Sequence, residues 1–206
     1  MARPKFESIS HLGELLIVIF YAEAYQEAFT KDIECFQKSG LVLRPILLFV
    51  IFLTVTVRFF VGNYLHLADE RWNEKVSGSE RWTVLWTRRL YYIDASFIAL
   101  ESLSMILLGS VGSDAHNVSQ LVIPLILISS VDVLWTGFQW LSKKKFRPVD
   151  VTSRWMWLNI GVILLLGYLL CLFRGQPLSV ATLGWITGIN VAAFVVDMIF
   201  VNQYGA

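Results

Sequence analysis

Charge is what this chain of 206 residues has least of. Asp, Glu, Lys and Arg make up 16% of it, against about 25% in an ordinary soluble domain. Two cysteines, Cys35 and Cys171, are too few for a disulfide framework, and neither stands in a CxxC or other metal spacing. The three histidines, His11, His66 and His116, fall at the ends of apolar runs or between them, which argues against paired haem ligation inside a bundle. No HExxH, GxSxG, P-loop or GxGxxG string occurs, and no lysine lies within an apolar run to carry a Schiff base. The net charge of +1 gives no electrostatic reason to expect a nucleic-acid partner. There is no internal repeat and no low-complexity tract. No cofactor and no metal centre is expected.

What fills the chain instead is apolar sequence, 56% of all residues, gathered in long runs. A spanning helix needs roughly 20 mainly apolar residues. Runs at about 41–63, 91–112, 118–140 and 155–173 meet that requirement, and 178–201 nearly does. The expected fold is therefore all-α: a polytopic transmembrane helix bundle forming one integral domain over 1–206, in a cell membrane. Eight Trp and seven Tyr suit the headgroup level of such a bundle.

Segment 10–29 is shorter in apolar content and is interrupted by Glu14, Glu23 and Glu27. It could be a signal peptide, an amphipathic helix lying in the interface, or a span. The distribution of basic residues favours a span. With six spans, segments 1–9, 64–90 and 141–154 face the cytoplasm and hold about twelve Lys and Arg, against four outside. With five, the ratio falls to about ten against six. The expected topology is thus about six spans with both termini cytoplasmic. The one long connection, 64–90, is expected to be an interfacial or partly helical cytoplasmic segment.

Ionisable side chains inside a bilayer are costly and need partners. Arg58 lies in the second span, Asp94 and Glu101 in the third, Asp132 in the fourth, and Asn190 with Asp197 in the sixth. Asp94 and Glu101 are seven apart, as are Asn190 and Asp197, so each pair shares one helix face. Lipid cannot solvate such stripes, which must face one another or water. Arg58, Asp94, Asp132 and Asp197 are expected at similar depth near the cytoplasmic side, with Glu101 nearer the middle. Glu14, Glu23 and Asn63 are possible additions. This intramembrane polar network is the candidate site, with no catalytic residue in it. Interhelical glue is an equally serious reading of the same residues.

Other strings carry less. Gly184 and Gly188 form a GxxxG, which permits close helix packing. His66, Asp69 and Glu70 have helical spacing, but mixed charges in a loop produce such triplets often. Asn117-Val118-Ser119 matches the glycosylation sequon in a short loop, where chance is the simpler reading. Lys143–Lys145 with Arg147 reads as a topology determinant before a lipid-binding patch. Gly62-Asn63 suits the C-terminal cap of the second span.

Function is expected to be that of a small oligomeric channel or transporter, with an acidic path for cations or protons. The alternative is a non-catalytic membrane partner that couples to a cytoplasmic protein. A membrane-embedded enzyme ranks third, because no nucleophile–base set appears.

Overall fold

The computed structural model describes residues 43–76, 81–112, 115–143 and 150–204, with scattered helical positions between 18 and 34. Five helices account for nearly all of them: α1 (Leu43–Val76), α2 (Arg81–Gly112), α3 (Val118–Lys143), α4 (Asp150–Phe173) and α5 (Val180–Tyr204). Among the described residues there is no strand, only an isolated bridge between Asn117 and Pro177.

Four helices contain a stretch long and apolar enough to cross a membrane: Leu43–Gly62, Val118–Phe138, Arg154–Phe173 and Val180–Ile199. The apolar part of α2 is shorter, Ser96–Val111. Most of segment 10–29 lies outside the described residues. Its described positions are helical, and Glu23 among them is exposed. Phe29 packs on Phe49 of α1 with ring centroids 6.4 Å apart. Lys31 donates to the Ser110 carbonyl at 2.7 Å. This segment therefore touches the end of the bundle where α1 begins and α2 stops.

The outside of the bundle is apolar and the inside is partly polar. Leu134, Trp157, Leu164, Tyr168 and Trp185 are among the most exposed side chains, whereas Glu101, Ser102, Asp132, Asn159 and Asp197 are buried. That inversion is the arrangement a lipid solvent demands. The apolar core includes Ile51, Met105, Leu121, Ile128, Leu166 and Ile186. Helix α4 is the most peripheral of the span-length helices, with 17% of its apolar stretch buried against 56% for α1.

Two ends can be distinguished. At the hairpin end, the loops 115–117 and 174–179 are laced together. Leu178 N–H donates to the His116 carbonyl at 3.0 Å and Val118 N–H to the Gln176 carbonyl at 3.3 Å. Asn117 caps α3: Gln120 N–H donates to Asn117 Oδ1 at 3.0 Å, and Gln120 Oε1 accepts from the backbone of His116 and Asn117. This reciprocal box satisfies N–H groups that the first helical turn leaves without partners. It also gives the Asn117 side chain a structural task, in keeping with the sequon being a coincidence. Ser179 caps α5 through Thr182 N–H at 3.1 Å. Gly175 closes α4 at φ 73°, a conformation that costs a side-chain-bearing residue more. Arg44 donates to the Ala115 carbonyl.

The opposite end carries Lys143 and Arg154 and is called the basic end here. The expected helix stop at Gly62-Asn63 is not observed: α1 continues to Val76. Glycine weakens a helix interior by only about 1 kcal/mol, which packing readily outweighs, and Gly62 has a packing role described below. Helices α1 and α2 thus run about 20 Å beyond their apolar stretches at the basic end, at about 1.5 Å per residue.

Candidate functional site

The polar layer is built from one face of each of four helices. Arg58 comes from α1, Asp132 from α3, Asn159 from α4 and Asp197 from α5. Each sits about 21–26 Å from the hairpin end of its helix, at about 1.5 Å per residue, so the four share one depth. All four are buried, none more than 5% exposed.

Their hydrogen bonds form a chain. Arg58 Nε donates to Asp197 Oδ2 in a buried ion pair. Arg58 Nη2 donates to Asn159 Oδ1 at 2.6 Å. Asn159 Nδ2 then donates to Asp132 Oδ2. The order is chemically directed. A guanidinium has only donors, so the amide must turn its oxygen to Arg58, and its NH2 is left for an acceptor. Asp132 is that acceptor. Arg58 also lies over the Phe59 ring, 5.1 Å from its centroid, where the π face favours a cation.

One helical turn nearer the basic end lies a second layer. Trp155 is four residues before Asn159, and Gly62 is four after Arg58. The Trp155 ring lies flush on Gly62: a Cβ there would come within 2.6 Å of the ring. A side chain at 62 would displace the indole. Arg58, Phe59, Gly62, Asp132, Trp155, Asn159 and Asp197 line a recess with about 220 Å³ of space including its open side. Two polar atoms remain without a hydrogen-bond partner there. Asp197 Oδ1 is buried, and Trp155 Nε1 stands beside the same carboxylate without a well-aligned bond to it.

Of the residues expected from sequence, the structure brings Arg58, Asp132 and Asp197 together. Glu101 is fully buried on α2 but does not line the recess. It lies about 16 Å from the hairpin end of its helix, nearer mid-bundle than the other three. Asn190 is buried, and its amide donates to the Ile186 carbonyl of its own helix at 2.8 Å. It is therefore not part of the chain. Glu23 is exposed. Glu14, Asn63 and Asp94 fall outside the residues whose side chains are described, as do His66, Asp69, Glu70 and Lys143–Lys145.

No family model, no curated protein and no solved structure matches the chain. The site must therefore be understood from its own chemistry. Asn159 and Trp155 were not anticipated, because a search weighted toward charge passes over an amide and an indole. The available signal was their spacing: Trp155 and Asn159 are one turn apart in an otherwise apolar run, so they share a face. Several smaller polar groups need no partner on another helix. Thr54, Ser102, Ser104, Thr136 and Thr187 each donate to a carbonyl four residues back.

Proposed function

We propose that this protein is a multi-pass membrane channel or transporter that moves protons or small cations through its acidic interior. One observation carries the reading. Among the described residues, the buried ionisable groups are three carboxyls, Glu101, Asp132 and Asp197, and a single guanidinium, Arg58. Carboxyls placed inside a membrane span are costly, and they are the groups that proton relays and cation paths use. The bundle itself fits this role, with the polar groups facing inward and an apolar belt outside.

The proposal includes a cell-membrane location, six spans with both termini cytoplasmic, and assembly as a homo-oligomer. Gly184, Gly188 and Ala192 are exposed along one side of α5, and nothing lies within 4 Å of a Cβ built at either glycine. Such a side lets a second helix approach closely. The test is reconstitution in liposomes under a pH, sodium or potassium gradient. Wild type is expected to dissipate at least one gradient, and Glu101→Gln or Asp132→Asn to slow this at least tenfold. Wild-type vesicles as tight as empty ones under all three gradients would end the reading.

A second reading is favoured by the extensions of α1 and α2 past their apolar stretches, about 20 Å of helix each at about 1.5 Å per residue. They would give a non-conducting protein a platform for a cytoplasmic partner. It predicts a soluble protein that co-purifies and is lost when Lys143–Lys145 are neutralised. Clean purification of the chain alone from its native membrane counts against it.

A further inference from the structure

Among the described residues, α3 packs chiefly on α4 and α2, whereas α1 packs chiefly on α5. The bundle is thus two units, α2–α3–α4 and α1–α5, which meet along the thinner α4–α5 and α1–α2 seams. The polar chain divides along the same line. Arg58 and Asp197 both belong to the α1–α5 unit, and their ion pair lies within it. Asn159 and Asp132 both belong to the other unit, and their hydrogen bond lies within that. Between the units at this depth run the bond from Arg58 Nη2 to Asn159 Oδ1, the Trp155 ring on Gly62, and the indole edge beside Asp197.

The two ends of the seam are joined unequally. At the hairpin end the loop into α5 is bonded to the loop into α3, Leu178 N–H to the His116 carbonyl and Val118 N–H to the Gln176 carbonyl. Arg44 of α1 adds its bond to the Ala115 carbonyl. Parting the units at the basic end breaks no ion pair, because Arg58 keeps Asp197 and Asn159 keeps Asp132. That is the decisive economy, since a buried charge stripped of its partner is what destabilises such a layer most. Closed, the layer also leaves Asp197 Oδ1 and Trp155 Nε1 without a well-aligned bond, and water reaching an opened recess satisfies both. We infer that the seam between α4 and the α1–α5 pair is a gate at the basic end: the units rock about the laced hairpin end, Arg58 releases Asn159, Trp155 leaves Gly62, and the recess opens. This inference rests on the transport reading and names the moving part of its path.

Trp155 is the latch of this gate. It lies one turn to the basic side of Asn159, and Gly62 lets its ring lie flat across from α4 onto the α1 backbone. A ring held by contact alone has no hydrogen bond to break when it lifts. Rocking of packed units around a site is a common form of opening, and it needs only a pivot that stays bonded. Helices α1 and α2 are also joined in sequence beyond their apolar stretches, so the parting is greatest on the opposite side, along α4 and α5.

Double electron–electron resonance between nitroxides on introduced cysteines, in the whole protein in lipid with Cys35 and Cys171 replaced, tests this without requiring transport. Trp157 on α4 and Ile199 on α5 are exposed, each two residues to the basic side of the layer. Labels there are expected to give two distances. The longer is expected to gain roughly threefold in population in Trp155→Ala. Arg58→Lys is expected to do the same, because its single ammonium keeps Asp197 but lacks the fork that also reaches Asn159. Leu134 with Trp157, inside one unit, and Leu172 with Val180, across the hairpin end, are expected to hold one distance in every variant. A single 157–199 distance that neither variant moves overturns the inference, as does an equal change in the 134–157 pair. If one variant does not fold, the other decides. The two readings fail separately. Bridging cysteines at 157 and 199 with a short bifunctional maleimide is expected to slow ion flux at least tenfold, and flux unchanged by the bridge removes the gate and leaves transport standing. Two 157–199 distances in vesicles that pass no ion leave the moving seam standing and remove transport.

Discussion

The two ends of this bundle are held by different physics. At the hairpin end, backbone groups and caps close the structure: Leu178 to His116, Val118 to Gln176, and the Asn117–Gln120 box. Each bond is ordinary and individually worth about 1 kcal/mol. At the basic end, four side chains from four helices share one buried chain, and each bond involves a charged or directed partner. Such networks fail as units when one member is removed. An end that is merely structural is best built from many small independent bonds. On the proposed function, concentrating the risk in Arg58 and Asp197 suits the layer that the ion would pass.

The comparison can be broken most severely at Asp197. Asp197→Ala leaves Arg58 buried at 4% exposure without its ion-pair partner. The expected loss is roughly 3–5 kcal/mol of stability, read as a large fall in the unfolding midpoint in lipid or detergent. Asn159→Leu comes next. It removes the carbonyl that accepts from Arg58 and the amide that donates to Asp132, at an expected cost of about 2–3 kcal/mol for two unsatisfied buried partners. The same unfolding assay should show this loss combining non-additively with that of Asp132→Asn, since both lie in one chain.

Gly62→Ala sharpens the picture of the second layer. The added methyl meets the Trp155 ring at 2.6 Å, and overpacking of that kind costs roughly 1–3 kcal/mol. The indole must move, so Trp155 fluorescence in a background lacking the other tryptophans should change, and Trp155→Leu should relieve the stability loss. The smallest effect belongs to the hairpin end. Asn117→Ala removes a cap worth about 1 kcal/mol, a small midpoint shift with no effect on ion movement. A larger penalty there than at Asp197 would invert the comparison.

How much of this was legible in the sequence follows the same division. Helix content could be read because apolar runs are local, but the ranking of the spans could not: 91–112 read as a clear span and has only Ser96–Val111 as its apolar part, whereas 178–201, read as slightly weaker, holds the span-length stretch Val180–Ile199. The caps at Asn117 and Ser179 are local too, three residues from their partners, yet they were not anticipated. The charged residues Arg58, Asp132 and Asp197 stand out because charge is scarce in an apolar run. Their order of bonding could not be read, because it depends on how α1, α3, α4 and α5 are arranged around one another. Asn159 was hidden for that reason: an uncharged amide acquires its role only when Arg58 and Asp132 arrive on either side. Gly62 misled in the other direction. Beside Asn63 it resembles a helix stop, yet it is the gap that admits Trp155 from a helix roughly ninety residues later in the chain.

The central proposal is that the buried carboxyls of this bundle carry a proton or a small cation through it. The most direct measurement is the reversal potential of the purified protein in a planar bilayer under imposed pH, sodium and potassium gradients. The account predicts a reversal potential that follows at least one of these gradients and belongs to a current at least tenfold smaller in Asp132→Asn. The absence of any current above that of the lipid alone under all three gradients, or a current unchanged in Asp132→Asn, would contradict it.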